Sequence, residues 1–88
     1  MGYSVKLTET AKEKLEELDN SKQEEFASQI DKLEDFPKKY GKPLKGRLHG
    51  YWQLRFSQKY RIWYTVSDED EKVVVEAIYH KDEAQKRY

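Results

Sequence analysis

Hydrophobic and polar positions along the chain switch between two periods, and the switches mark its elements. Tyr3, Val5 and Leu7 alternate with Ser4, Lys6 and Thr8, the period of two expected of a half-buried strand. Helical spacing follows through Ala11, Leu15 and Leu18. A Thr10/Glu13 capping box opens this helix, each side chain satisfying a free backbone N–H of the other. Asp19-Asn20 breaks it. Ser21 with Glu24 makes a second capping box ahead of a stripe of Phe26, Ile30 and Leu33, with Ala27 beside it. Phe36-Pro37 ends the second helix, because the residue before proline avoids helical backbone. So short a connection predicts an antiparallel helical hairpin.

Lys38–Lys45, punctuated by Gly41 and Pro43, reads as a loop. The period of two returns at Tyr51: Trp52, Leu54 and Phe56 share one face, and Gln53 and Arg55 the other. Ser57-Gln58-Lys59 is a hairpin turn. Tyr60, Ile62, Tyr64 and Val66 then alternate with Arg61, Trp63 and Thr65. An acidic turn follows, and a last strand runs from Val73 to His80, with a tail, Lys81–Tyr88, short enough for one more helix. The order β-α-α-β-β-β predicts an α+β fold in one domain, residues 1–88, with a helical hairpin on one face of a mostly antiparallel sheet. Helices must cover the more apolar face, assigned to Trp52, Leu54, Phe56, Ile62, Tyr64, Val66, Val73, Val75 and Ala77. Strict alternation then leaves Gln53, Arg55, Arg61, Trp63, Glu76 and His80 together on the second face.

Composition sharpens this picture. Charged residues make up 39% of the chain, which alone would suggest disorder, but twelve aromatics are enough to close a small core. Net charge is zero, yet it is segregated: residues 37–66 hold eight basic groups and no acid, while residues 1–36 sum to −5 and residues 67–88 to −3. A basic, aromatic middle between acidic flanks suits a polyanion. With no cysteine, disulfides and thiolate metal sites are excluded. The N-terminus lacks an apolar signal-like run, which points to a soluble cytoplasmic protein rather than a membrane one.

The second face offers chemistry. Arginine forks match phosphate oxygens in two-point contacts, a histidine moves protons near neutral pH, and a tryptophan stacks on unpaired bases. Arg55, Arg61 and His80, with Trp63 and the lysine-rich loop, suit cleavage of RNA by its own 2′-hydroxyl, with arginine holding the phosphorane and His80 protonating the leaving 5′-oxygen. The plainer alternative makes the arginines solvent residues paired with Glu76, Trp63 a packing residue under the tail, and His80 a cap. His49, in a Gly-flanked turn, reads as structural. Two histidines make a poor zinc set, the acidic run Asp68–Glu71 lacks a calcium-loop pattern, and there is neither a glycine-rich phosphate loop nor a legible Ser-His-Asp set. No metal or cofactor is expected.

Several linked motifs resemble the RelE/ParE superfamily of toxin–antitoxin toxins, most of all the RelE and YoeB type of messenger-RNA endonuclease. They are Pro43-Leu44-Lys45, Leu48-His49-Gly50-Tyr51-Trp52, Arg55, Tyr60-Arg61 and Tyr79-His80-Lys81. The resemblance covers the chain in element order and implies a metal-independent, ribosome-dependent endoribonuclease held in check by a cognate antitoxin protein. By position, Arg61 looks like the phosphate-stabilising arginine, His80 like the general acid and Arg55 like a supporting contact. Lys42, Lys45, Arg47, Lys81, Trp63 and Tyr88 would touch RNA. The chain departs from the pattern at Lys42, where some relatives carry a glutamate base; at Gln53, where others carry lysine; and at Lys81, in place of an aromatic or arginine. Tyr88 could replace a C-terminal tyrosine. The general base is unassigned, since Glu76 would lie about 13 Å from His80 along a strand. A DNA gyrase inhibitor of the ParE kind, or an inactive antitoxin-binding module, would use the same fold.

Overall fold

A computed structural model describes residues 2–82. Its elements are β1 (Ser4–Leu7), α1 (Glu9–Glu17), α2 (Asn20–Asp35), β2 (Lys42–Pro43), β3 (Trp52–Phe56), β4 (Tyr60–Ser67) and β5 (Lys72–His80), with a 3-10 turn at Gly46–Leu48 before β3. The expected order holds, with one addition. The loop after α2 contributes a two-residue edge strand, so the sheet runs β1-β5-β4-β3-β2. All neighbours are antiparallel except β1 and β5. The helical hairpin takes the chain from β1 at one edge to β2 at the other, and the return through β3 and β4 lays β5 parallel to β1.

Both helices cap at other residues than their capping boxes predict. The Thr8 hydroxyl, not that of Thr10, accepts from Ala11 N at 3.2 Å, and the Asp19 carboxylate, not the Ser21 hydroxyl, accepts from Lys22 N at 2.9 Å. In each case the oxygen two residues earlier lies on extended backbone and reaches the first free N–H groups. Asp19 titrates below the usual carboxylate range because the Lys22 backbone N–H and then its ammonium stabilise the anion. The helices are joined through Leu18 and Asp19 without a glycine. Gln23 of α2 supports the connection by donating its amide to the carbonyls of Leu15 and Leu18 at 3.1 and 2.8 Å, the first of which also accepts from Leu18 N.

One core lies between the helices and one sheet face. Ala11, Phe26 and Leu33 meet Leu54, Phe56, Ile62, Tyr64, Val73, Val75 and Ile78, with Val5 and Leu7 against the edge. Phe26 meets Phe56 edge to face at 5.7 Å, anchoring α2 on β3. Ala27 is exposed, outside the stripe assigned to it. Ala77 is not in the core and Ile78 is, which departs from strict alternation. The cause is a bulge. Tyr64 pairs with Val75 and Trp63 with Ala77, so Glu76 is an extra residue on β5. The carbonyl of this extra residue is not wasted: the Thr8 hydroxyl donates to it at 3.2 Å, while Thr8 N donates to Val75 O. The cap of α1 thus holds the irregular point of the sheet.

Candidate nucleic-acid interface

The bulge decides which side chains share a face. Beyond it, Ile62 pairs with Ile78, Arg61 with Tyr79 and Tyr60 with His80. Cross-strand partners project to the same side. Ile78 is buried under the helices, so His80, two residues on, stands on the helix-bearing side, its ring edge-on to Tyr60 at 5.2 Å. Its Nδ1 accepts from Asp82 N at 3.2 Å. The expected grouping of His80 with Arg55 and Arg61 is therefore wrong. A one-residue insertion turned the strand end over, and the sheet separates the imidazole from the guanidinium groups. Tyr79 takes the place beside Arg61.

The second face carries Lys42, Gln53, Arg55, Arg61, Trp63, Ala77 and Tyr79, and among the described residues no α-helix packs on it. Arg55 and Arg61 are direct cross-strand partners. Neither makes an ion pair among the described residues. Arg55 is exposed. Arg61 uses Nη1 to hold the carbonyls of Gln58 and Tyr60 at 3.0 and 3.1 Å, leaving Nε and Nη2 for another ligand. Those carbonyls belong to the β3–β4 turn, where Ser57 and Gln58 take φ of 50° and 61°. Left-handed backbone at two successive residues of this three-residue turn is costly for residues with a side chain, so Arg61 also steadies a strained turn.

Trp63 lies among aromatics, with Tyr79 at 4.9 Å and Tyr51 at 6.4 Å between ring centres. Its indole N–H donates to Gln53 Oε1 at 3.0 Å, and the Tyr79 hydroxyl donates to the same oxygen at 2.8 Å. Lys42 pairs with Gln53 from the sheet edge, and a shallow depression of about 230 Å³ opens there between Tyr40, Lys42, Gln53, Leu54 and Arg55. Lys45 and Arg47 lie exposed on and beside the 3-10 turn, and Lys81 follows β5, its N–H donating to Lys59 O at 2.7 Å. Tyr88 lies outside the described residues. His49 is exposed at the end of the 3-10 turn. Among the described residues no three His, Asp or Glu side chains converge as a metal site would need, and no helix is long and apolar enough to cross a membrane.

A family profile described as the ParE toxin of type II toxin–antitoxin system, parDE, matches residues 5–85, nearly the whole chain and every strand just described. The chain belongs to the ParE toxin family. Within the wider RelE/ParE superfamily, its fold resembles the toxin–antitoxin complex RelBE2 of Mycobacterium tuberculosis, at 30% identity and a TM-score of 0.74 over 91% of this chain and 92% of the other. It resembles the intact RelBE complex of E. coli at 22% identity and a TM-score of 0.79, over 89% and 95% of the two chains. A curated relative, Toxin YoeB of Streptomyces coelicolor, is 47% identical over 38 residues, 43% of this chain and 44% of that protein, so the chain matches less than half of that relative's length. In this ParE-family member the motif residues Arg55 and Arg61 share one face with Lys42, an expected RNA contact, and His80 does not join them. Sequence reasoning missed Tyr79 as a member of this face. The signal available was the size of Ile78 against Ala77, since the bulkier side chain belongs in the core.

Proposed function

We propose that this chain is the toxin of a type II toxin–antitoxin pair and acts as an endoribonuclease on messenger RNA in translating ribosomes. The observation that carries this reading is the Arg55–Arg61 pair. Like charges set directly opposite one another on a sheet are destabilising. Among the described residues they stand without an ion-pairing carboxylate, next to Lys42 and an aromatic wall. Such an arrangement suits a phosphodiester between arginine forks and bases stacked on rings. Arg61 stabilises charge on the phosphorane as the RNA 2′-hydroxyl attacks, and Arg55, Lys42, Lys45, Arg47 and Lys81 hold the strand, without a metal. An acidic, disordered antitoxin segment is the complementary partner for the basic face, and both solved structures named above are toxin–antitoxin complexes.

The separation of His80 from Arg61 favours one second reading, a non-enzymatic inhibitor of DNA gyrase on the same fold. The family profile, named for ParE, points the same way. A translating extract with and without the protein distinguishes them, with 5′ ends mapped by primer extension and naked RNA as control. In-frame cuts made only on ribosomes, and reduced about 100-fold or more by Arg61→Ala, are expected of the endonuclease. Intact mRNA together with inhibited DNA supercoiling would replace it with the gyrase reading.

A further inference from the structure

Gln53 presents a one-sided amide. An indole N–H can only donate, so the oxygen of the Gln53 amide must face Trp63. The Tyr79 hydroxyl donates to that same oxygen, so both lone-pair positions are occupied. The amide orientation is therefore fixed by chemistry. Its NH2 group has no hydrogen-bond partner among the described residues, yet no unpaired side-chain polar atom is buried there, so Nε2 reaches solvent. The group stands on the second face, in register with Lys42 and two residues from Arg55, beside the Trp63 and Tyr79 rings.

We infer that Gln53 reads the purine 6 or pyrimidine 4 position of a base of the bound RNA and selects for a keto group there, O6 of guanine or O4 of uracil, against the amino groups of adenine and cytosine. A glutamine ordinarily recognises adenine with both ends of its amide, the oxygen accepting from N6 and the nitrogen donating to N7. Here the oxygen is engaged on two sides, and only donors remain. At that position guanine offers O6, beside N7, and uracil offers O4, so either can accept from Nε2. There adenine and cytosine carry the amino groups N6 and N4, which set a donor against a donor and leave both unpaired, while their own acceptors lie at other positions of the ring. Trp63 supplies the surface on which the base stacks, and the neighbouring arginines hold its phosphate. This rests on the RNA-binding reading above but not on cleavage.

Two measurements test it. In the first, purified protein is titrated with short single-stranded oligoribonucleotides that differ at one central base, followed by tryptophan fluorescence. In the second, reporter mRNAs varied at the cut position are used in the translating extract. Guanine and uracil are expected to be preferred about fivefold or more over adenine and cytosine in both. Gln53→Glu keeps an acceptor for Trp63 and Tyr79 but exchanges the donor for a carboxylate oxygen, so the ratio among bases should fall to one or reverse in favour of the amino bases. That ratio is internally controlled against a general loss of affinity from the added charge. Gln53→Leu provides a neutral second variant in which the preference disappears. A base preference in binding without any cutting would retain this inference and count against the endonuclease. Equal affinity for all four bases, no RNA binding at all, or an unchanged ratio in Gln53→Glu would overturn it.

Discussion

Tyr64→Phe removes a single oxygen from the centre of the molecule, and two independent consequences can be worked out for it. Tyr64 is 0% exposed, its ring stacked on Trp52. Its hydroxyl donates to the carbonyl of Pro37 at 2.6 Å and so fastens the loop after α2 to the middle of the sheet. Without the hydroxyl that buried carbonyl has no partner, at a cost of about 1–3 kcal/mol. The second consequence is a pH dependence. Burial raises the Tyr64 phenol from 10.0 to about 12. The unfolded chain ionises this group first, so its contribution is whole below about pH 10 and is lost as pH rises toward 12. The expected slope is about 1.4 kcal/mol per pH unit. Urea unfolding followed by tryptophan fluorescence, for wild type and Tyr64→Phe at pH 8 and in steps from 10 to 11.5, checks both. Wild type should be the more stable at pH 8, and the gap should close as pH rises, because the other tyrosines titrate alike in the two proteins. A gap that is absent at pH 8, or that stays constant through pH 11.5, would refute the reasoning.

Two further substitutions probe the supports of the same framework. Gly41→Ala places a methyl group into the Tyr64 hydroxyl, 2.9 Å from its Cζ and 3.2 Å from the carbonyl of Gln53, so it should cost about 1–3 kcal/mol in chemical denaturation. Adding Tyr64→Phe should recover part of that loss rather than double it, since the worst overlap is then gone. Thr8→Ala removes the α1 cap and the partner of the Glu76 carbonyl together. A loss of about 1–2 kcal/mol is expected, with faster hydrogen exchange at Ala77 and Ile78, and Thr8→Ser should restore most of it.

Most of the architecture was legible because two periods of hydrophobicity are hard to confuse over this length. The helical stripe through Phe26, Ile30 and Leu33 and the alternation through Trp52, Leu54 and Phe56 each admit one reading. Proline after Phe36 and the polar run after Ser67 placed the remaining ends. The caps were less legible, because Thr8 and Thr10, or Asp19 and Ser21, are equally good acceptors by type; backbone conformation decided between them. The edge strand Lys42–Pro43 could not be read from two residues. What holds it near the sheet is the contact of Gly41 with Tyr64, between residues far apart in the chain.

The bulge was hidden for a different reason, and it bears most on function. Alternation sets a frame only where one parity is polar. In β5 the run Val73-Val74-Val75 is apolar at both parities, as befits a strand with neighbours on both sides, so the slip at Glu76 leaves no mark before Ile78. Every residue after the slip changes sides. His80 is carried to the helix-bearing side and Tyr79 is brought beside Arg61, where its hydroxyl donates to Gln53. Among the described residues the surface around the two arginines is thus built of guanidinium, amine, amide and aromatic groups, without an imidazole. Such groups grip and orient a nucleic acid strongly, and arginine can stabilise a phosphorane, but none of them exchanges protons readily at neutral pH. An endonuclease working from the described groups of this face would take its proton transfers from water or from the ribosome–mRNA complex, and the proposed activity is then expected on ribosomes alone. Cutting of naked RNA by the purified chain at neutral pH would contradict that conclusion.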